Sequence, residues 1–299
     1  MILSHHGGEE MSFSKEKREQ IIFQFLKEIK YHPHRSISDV CQSLGISKQT
    51  GYRYMQVLKR EGVLYKSADS SHYKLRAKNT FRFRIPNIGL DESVVYEESI
   101  APHIKSLALE GRKKIKYASQ EMINNVIEHS EGAFLGIIVQ EDAVSVRLII
   151  SDDGIGIFKK IAEAFSLPSI NDAILELDKG KCTTDPDRHT GEGIFFSSKM
   201  FDLFFIQANQ LTYVARNSQS RSFLLEDVKG QRSRGTRISM ELTKDDASSI
   251  DQIFQQYSDG ESFAFNRTVV SVVHLIDRRN TTDMSLVSRS QARRLLHRF

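Results

Sequence analysis

The segment QEMINNVIEHS, residues 120–130, decides how the rest of the chain is read. Glu121, Asn125 and His129 recur every four residues, so a helix stacks them on one face. Met122, Ile123, Val126 and Ile127 then form the opposite, apolar stripe that a core-packed helix requires. An acid and an amide on one wet face suit general-base work on water and coordination of magnesium, an ion that keeps its waters and takes few protein ligands. Taken alone, the segment reads more simply as a solvated polar face.

Three further segments follow. The strand-like run AVSVRLII (143–150) ends directly in SDDGIGI (151–157), and function concentrates at such strand ends. Gly154 and Gly156 permit positive φ and close approach of main chain to a ligand, while a fixed carboxylate beside them, at Asp152 or Asp153, can accept the exocyclic amine of adenine. A turn explains this segment equally well in isolation. Next, HTGEGIFF (189–196) places Thr190, Gly191, Glu192 and Gly193 before the apolar segment IFFSSKMFDLFF (194–205), and free N–H groups at a glycine-rich helix start suit phosphate oxygens. Last comes RGTRISM (234–240), with Gly235 and Thr236.

In order and spacing these four segments resemble the boxes of the GHKL superfamily of ATPases, which includes gyrase, Hsp-ninety chaperones, histidine kinases and MutL. The resemblance spans roughly Glu92 to Leu242 and implies a two-layer α/β sandwich of the Bergerat type that binds ATP with Mg2+. It implies that Asn125 holds the metal and that Glu121, the catalytic candidate, orients or activates a nucleophile. Asp152, with Gly154 and Gly156, would read adenine; Thr190, Gly191 and Gly193 would lie beside the triphosphate, with Thr236 on a later strand. Phe195 stands where many relatives carry a third glycine. Between Phe158 and His189 the chain would form a lid that closes over the γ-phosphate. Lys181 and Arg188 are its candidate phosphate contacts, although a charged lid is also simply a soluble one.

The chain has 299 residues, 39% of them hydrophobic, enough for two or three cores. Cys41 and Cys182 form neither a metal spacing nor a disulfide framework, which predicts a reducing, cytoplasmic setting. No apolar run approaches a membrane span, and MILSHHGGEEMSF (1–13) lacks the pattern of an export signal. Net charge is +4, yet residues 1–85 carry 16 Lys and Arg against 8 Asp and Glu. That concentration points to an anionic partner for the N-terminal part.

From Lys15 to Tyr31, Ile21, Ile22, Phe25, Leu26 and Ile29 keep helical spacing until Pro33. Ser38 is the expected cap of DVCQSLG (39–45), Gly45 breaks that helix, and Ser47 caps KQTGYRYMQVLKREG (48–62). Val40, Leu44, Ile46, Tyr54 and Val57 or Leu58 are spaced to close a small core. GVLYKSADSSHYKL (62–75) reads as a hairpin with a polar tip. This order resembles winged helix-turn-helix domains and implies DNA as partner, with Lys48, Gln49, Thr50, Tyr52 and Arg53 offered to phosphates and base edges. A winged helix also binds protein. Gly51 either allows close approach to DNA or is merely tolerated at a cost of about 1 kcal/mol.

The predicted organisation is a disordered lead (1–14), a winged helix (15–78), a linker or strand (79–90), the ATPase domain (91–245) and a partial domain (246–299). The last resembles the opening of a STAS-like domain, with a strand in RTVVSVVHLI (267–276) and SRSQA at Ser288 to Ala292. Only one short helix precedes the helix of residues 120–130, which disfavours orthodox histidine autokinase activity. The expected function is transcription regulation by a nucleotide-gated DNA-binding unit. The alternative is a serine kinase of the anti-sigma type, or an ATPase, acting on a STAS-like or sigma-factor-like protein. A homodimer is left open.

Overall fold

Serine side chains start the first three helices of the chain. In the computed structural model, which describes residues 14–66, 72–178, 193–217, 221–226, 234–257 and 273–276, Ser14 caps α1 (Lys15–Tyr31) and Ser47 caps α3 (Lys48–Arg60). Helix α2 (Ile37–Ser43) begins earlier than expected, because Ser36 rather than Ser38 is its cap. The Ser36 hydroxyl accepts from the Asp39 N–H at 3.1 Å while the Asp39 carboxylate accepts from the Ser36 N–H, a reciprocal box that Ser38 has no partner to form. Gly45, at φ +63°, ends this helix. Strands β1 (Leu64–Lys66) and β2 (Tyr73–Leu75) pair antiparallel. The wing tip (67–71) lies outside the described residues.

These elements form the smaller of two compact units, which ends at Lys78 and takes in Asp142–Val144. Its core holds Phe25, Leu26, Ile29, Val40, Cys41, Tyr54, Met55, Leu58 and Leu64. Leu58 rather than Val57 is the buried member of the expected pair, and Leu44 and Ile46 are partly buried. Gly51 is buried against α2. A Cβ there would overlap the Cys41 Sγ, so glycine serves helix packing and not approach to DNA.

The larger unit runs from Asn79 and contains, among the described residues, an eight-stranded mixed sheet. Its strands are β3 (Asn79–Pro86), β4 (Phe134–Glu141), β5 (Ser145–Asp152), β6 (Leu203–Ala208), β7 (Leu211–Arg216), β8 (Arg221–Glu226), β9 (Thr236–Thr243) and β10 (Val273–Ile276). They lie in the order β10-β8-β7-β6-β9-β5-β4-β3, antiparallel throughout except for β10 beside β8. Residues 79–86, the linker or strand, are thus a strand of the sheet. The boundary expected at 245/246 is absent too: β10 joins this sheet, so the chain after Thr243 does not open a separate unit among the described residues. SRSQA and most of residues 246–299 lie outside the described part, as does the lead 1–13.

Alternation puts Leu135, Ile137 and Val139 of β4, and Val146, Leu148 and Ile150 of β5, on one buried face. Helices α4 (Glu92–Ser99), α5 (Leu109–His129), α6 (Ile157–Ala164), α7 (Ile170–Asp178) and α8 (Gly193–Met200) contribute to the same core. The described part of the expected lid is therefore two helices, α6 and α7, and residues 179–192 lie outside. The apolar run 194–205 is not one element: α8 stops at Met200 and Leu203 opens a strand. Helix α9 (Ile250–Tyr257) lays Phe254 against Tyr117 and Phe196, and Tyr257 against Phe195. Its approach is held by Lys114, fully buried in α5, whose ammonium donates to Asp246 at 2.5 Å and Ser248 at 2.6 Å.

Candidate functional site

Helix α5 buries Met122, Ile123 and Val126 and partly buries Ile127, so Glu121, Asn125 and His129 stand on its half-exposed side. Glu121 lies against Gly193, the first residue of α8: a Cβ at Gly193 would overlap the Glu121 carboxylate. Asn125 follows one turn later, and His129 approaches Glu128 at 3.8 Å.

The C-terminus of α5 is bound to the end of β5. The Ser130 carbonyl accepts from Ile155 N–H at 3.0 Å, and a Cβ at Gly154 would overlap that carbonyl. The Ser130 hydroxyl donates back to the Val126 carbonyl at 2.6 Å and accepts from Gly132 N–H at 3.0 Å.

Two adjacent carboxylates at this strand end have opposite environments. Asp152 Oδ1 accepts from Gly154 N–H at 2.8 Å and from Thr236 N–H at 3.2 Å. Burial nevertheless dominates and pushes the Asp152 carboxyl above its ordinary value. Asp153 points the other way: its Oδ1 accepts from Phe134 N–H at 3.1 Å and Ala133 N–H at 2.8 Å, and these bonds hold its carboxyl below the ordinary value. Asp153 thus pins the start of β4. Gly235, at φ +81°, passes so close to the Asp152 carbonyl that a Cβ would overlap it.

Gly156, at φ +88°, stands at the N-cap of α6 and has no side chain to cap it. One residue of β9 and one of the β6–β7 turn do so instead. Thr236 Oγ1 accepts from Ile157 N–H at 3.0 Å, and Asn209 Oδ1 accepts from Lys159 N–H at 3.1 Å while its Nδ2 donates to the Ile155 carbonyl at 3.0 Å. Asn209 is in the β6–β7 turn, where it and Gln210 have φ of 51° and 65°. It carries no motif. The signal for it was the Asn-Gln pair between two apolar strands, a hairpin turn whose target only the fold reveals.

Asp152, Gly154, Gly156, Gly235 and Thr236 therefore converge at one strand end, and Glu121 meets Gly193 beside it on the helix that Ser130 ties to that end. Lys181, Arg188, Thr190 and Gly191 lie outside the described residues. Among the described residues no cluster of three or more His, Cys, Asp or Glu is placed to hold a metal ion. Asn125 with Glu121 offers two oxygen groups one turn apart, a donor set that fits an ion keeping most of its waters.

On the smaller unit, Lys48, Gln49, Tyr52 and Arg53 are exposed along α3. Thr50 is engaged elsewhere: its hydroxyl pairs with Ser47 Oγ at 2.8 Å at the helix cap. Among the described residues no helix is long and apolar enough to cross a membrane. No protein-family model matches the chain, and no curated protein matches it.

Proposed function

We propose that the larger unit is a GHKL-type module of the Bergerat fold that binds ATP with Mg2+, and that the smaller is a winged helix that binds DNA, together forming a nucleotide-responsive transcription regulator. The observation that carries the nucleotide reading is the environment of Asp152. An ionised carboxylate has about four acceptor positions. The Gly154 N–H, the Thr236 N–H and the Thr236 hydroxyl take three of them, which leaves capacity for one more donor, such as the exocyclic amine of adenine.

Around it, glycine at 154, 156 and 235 keeps the main chain close packed without side chains. The amide oxygen of Asn125 would hold the magnesium, which when bound neutralises phosphate charge. Glu121, placed against Gly193, is the base that would take a proton from water or a hydroxyl. Lys48, Gln49, Tyr52 and Arg53 support the DNA reading by their shared exposure on one helix and by the basic excess of residues 1–78, 14 Lys and Arg against 8 Asp and Glu; Thr50 supports it only through the cap.

The test is duplex DNA affinity with and without ATP and Mg2+ across a salt series, in wild type, Asn125→Ala and Lys48→Ala/Arg53→Ala. The expected result is a nucleotide-dependent affinity that Asn125→Ala abolishes, and a salt slope lowered by about 0.9 per lost phosphate contact in the double variant. An affinity indifferent to nucleotide removes the regulatory part. Transfer of the γ-phosphate to a STAS-like protein by wild type but not by Glu121→Gln would assign the chain to the serine-kinase alternative.

A further inference from the structure

The strand registers sort the side chains of the large sheet onto two faces. The row Phe81, Val139, Leu148, Met240, Phe204 and Ala215 belongs to the helix-covered core. One residue along, the opposite face carries a central row in which Ile138, Phe205 and Val214 are half-buried and Ile149 and Ser239, on the middle strands, are buried. Two residues to one side of it, Arg84 of β3 and Arg237 of β9 share a row; two residues to the other, Arg147 of β5 and Arg216 of β7 share another. Arg82 ends the central row itself.

On the six strands from β3 to β7 with β9, this face holds five arginines and one carboxylate. Glu241 is that carboxylate, buried and paired to Arg147 at 2.6 Å. Arg82, Arg84, Arg216 and Arg237 are exposed and have no carboxylate partner among the described residues. Arg84 stands over the Phe134 ring, its guanidinium carbon 3.7 Å from the ring centroid. A face with four exposed guanidinium groups and no exposed carboxylate among the described residues is complementary to a polyanion.

Its shape selects which one. Six strands span about 24 Å at about 4.8 Å per strand, twice the width of a duplex major groove at about 12 Å, so the face cannot enter a groove. The two arginine rows are four residues apart along the strands, about 13 Å, and between them lie Ile138, Ile149, Phe205 and Val214 with the buried Ser239. Unstacked bases fit against such an apolar row while phosphates meet arginines on either side. We propose that this open face of the sheet is a binding surface for single-stranded nucleic acid, separate from the helix α3 reading and from the nucleotide pocket.

The test uses the full chain carrying Lys48→Ala/Arg53→Ala, so that the proposed duplex site is weakened. Anisotropy is measured with labelled single-stranded DNA, single-stranded RNA and duplex DNA of about 12 nucleotides, a length within the range of single-strand sites. Single strands are expected to bind. Adding Arg84→Ala/Arg237→Ala should weaken them at least about tenfold at low salt and lower the salt slope by about 1.4, two contacts at about 0.7 each. Arg82→Ala/Arg216→Ala is a second pair with the same expected direction. The proposal is overturned by no single-strand binding, by affinity unchanged in both pairs, by a preference for duplex that still depends on these arginines, or by equal binding of a polyglutamate peptide. Binding of DNA but not RNA, or of RNA but not DNA, supports it and identifies the source.

Discussion

Asp152 and Asp153 are neighbours of the same chemistry, and the fold sets them to opposite tasks. Strand alternation continues Leu148, Ile150, Asp152 onto the helix-covered face, in agreement with the choice of Asp152 that the resemblance of SDDGIGI implies. The direction of their titration was not, because it depends on burial and on donors from β9 and β4. For Asp152 the folded chain holds its proton more tightly than the unfolded chain, so its contribution to stability falls as pH rises from the ordinary carboxylate value through its raised one. Asp153 is the reverse: its stabilisation is present above the ordinary value and is lost as pH falls through the lowered one. Asp152→Asn should therefore melt above wild type at neutral pH, with the gap closing in acid, while Asp153→Asn should melt below it. A pH series of melting temperatures checks both signs.

Gly51 belongs to the same scale. Its place in a helix was visible, but Cys41, ten residues earlier, was not recognisable as its neighbour without the α2–α3 packing. Gly51→Ala gains about 1 kcal/mol of helix propensity and loses about 1–3 kcal/mol to overpacking. Net destabilisation is expected, relieved when Cys41→Ala is added; denaturant midpoints of the single and double variants measure the coupling.

At the scale of elements, α6 shows why motif reading stops short. The glycines at 154 and 156 stand out in the sequence, yet they leave the start of α6 without a cap, and its N–H groups are satisfied by Thr236 and Asn209 from β9 and the β6–β7 turn. Contacts across fifty residues or more have no local signature. Asn209→Gly keeps the positive φ and deletes the side chain, so it isolates these bonds. A loss of about 1–3 kcal/mol in stability is expected, together with weaker nucleotide binding; unchanged affinity for ADP would detach Asn209 from the pocket.

Helix α9 explains the departure at Phe195. Where a third glycine is common in the proteins this segment resembles, the ring is buried between Phe196 and Tyr257 at 5.5 Å from each. The position is thus packed by a helix that follows the last glycine-bearing strand, and Lys114 holds the approach of that helix. A lysine in the middle of α5 reads as a solvated position in the sequence. Its burial is set by Asp246 and Ser248, more than 130 residues away.

For the whole molecule, helix starts, strand alternation and the order of the glycine segments were the readable part. Two features were not: the continuation of the large sheet into β10, which the sequence read as the start of another domain, and the single-sided arginine rows, which appear only when six strands are placed in register. Both depend on pairings between distant segments. The basic excess of residues 1–78, 14 Lys and Arg against 8 Asp and Glu, and the carboxylate at the end of β5 lie in different compact units, a division that the proposed function calls for.

Calorimetric titration of ADP with Mg2+ into wild type and Asp152→Asn decides whether the end of β5 is the proposed nucleotide pocket. Binding by wild type is expected, with a loss of about 1–3 kcal/mol in the variant, roughly 5- to 150-fold in affinity, and an intact fold. Equal affinities in the two proteins, or no binding by wild type, would contradict it.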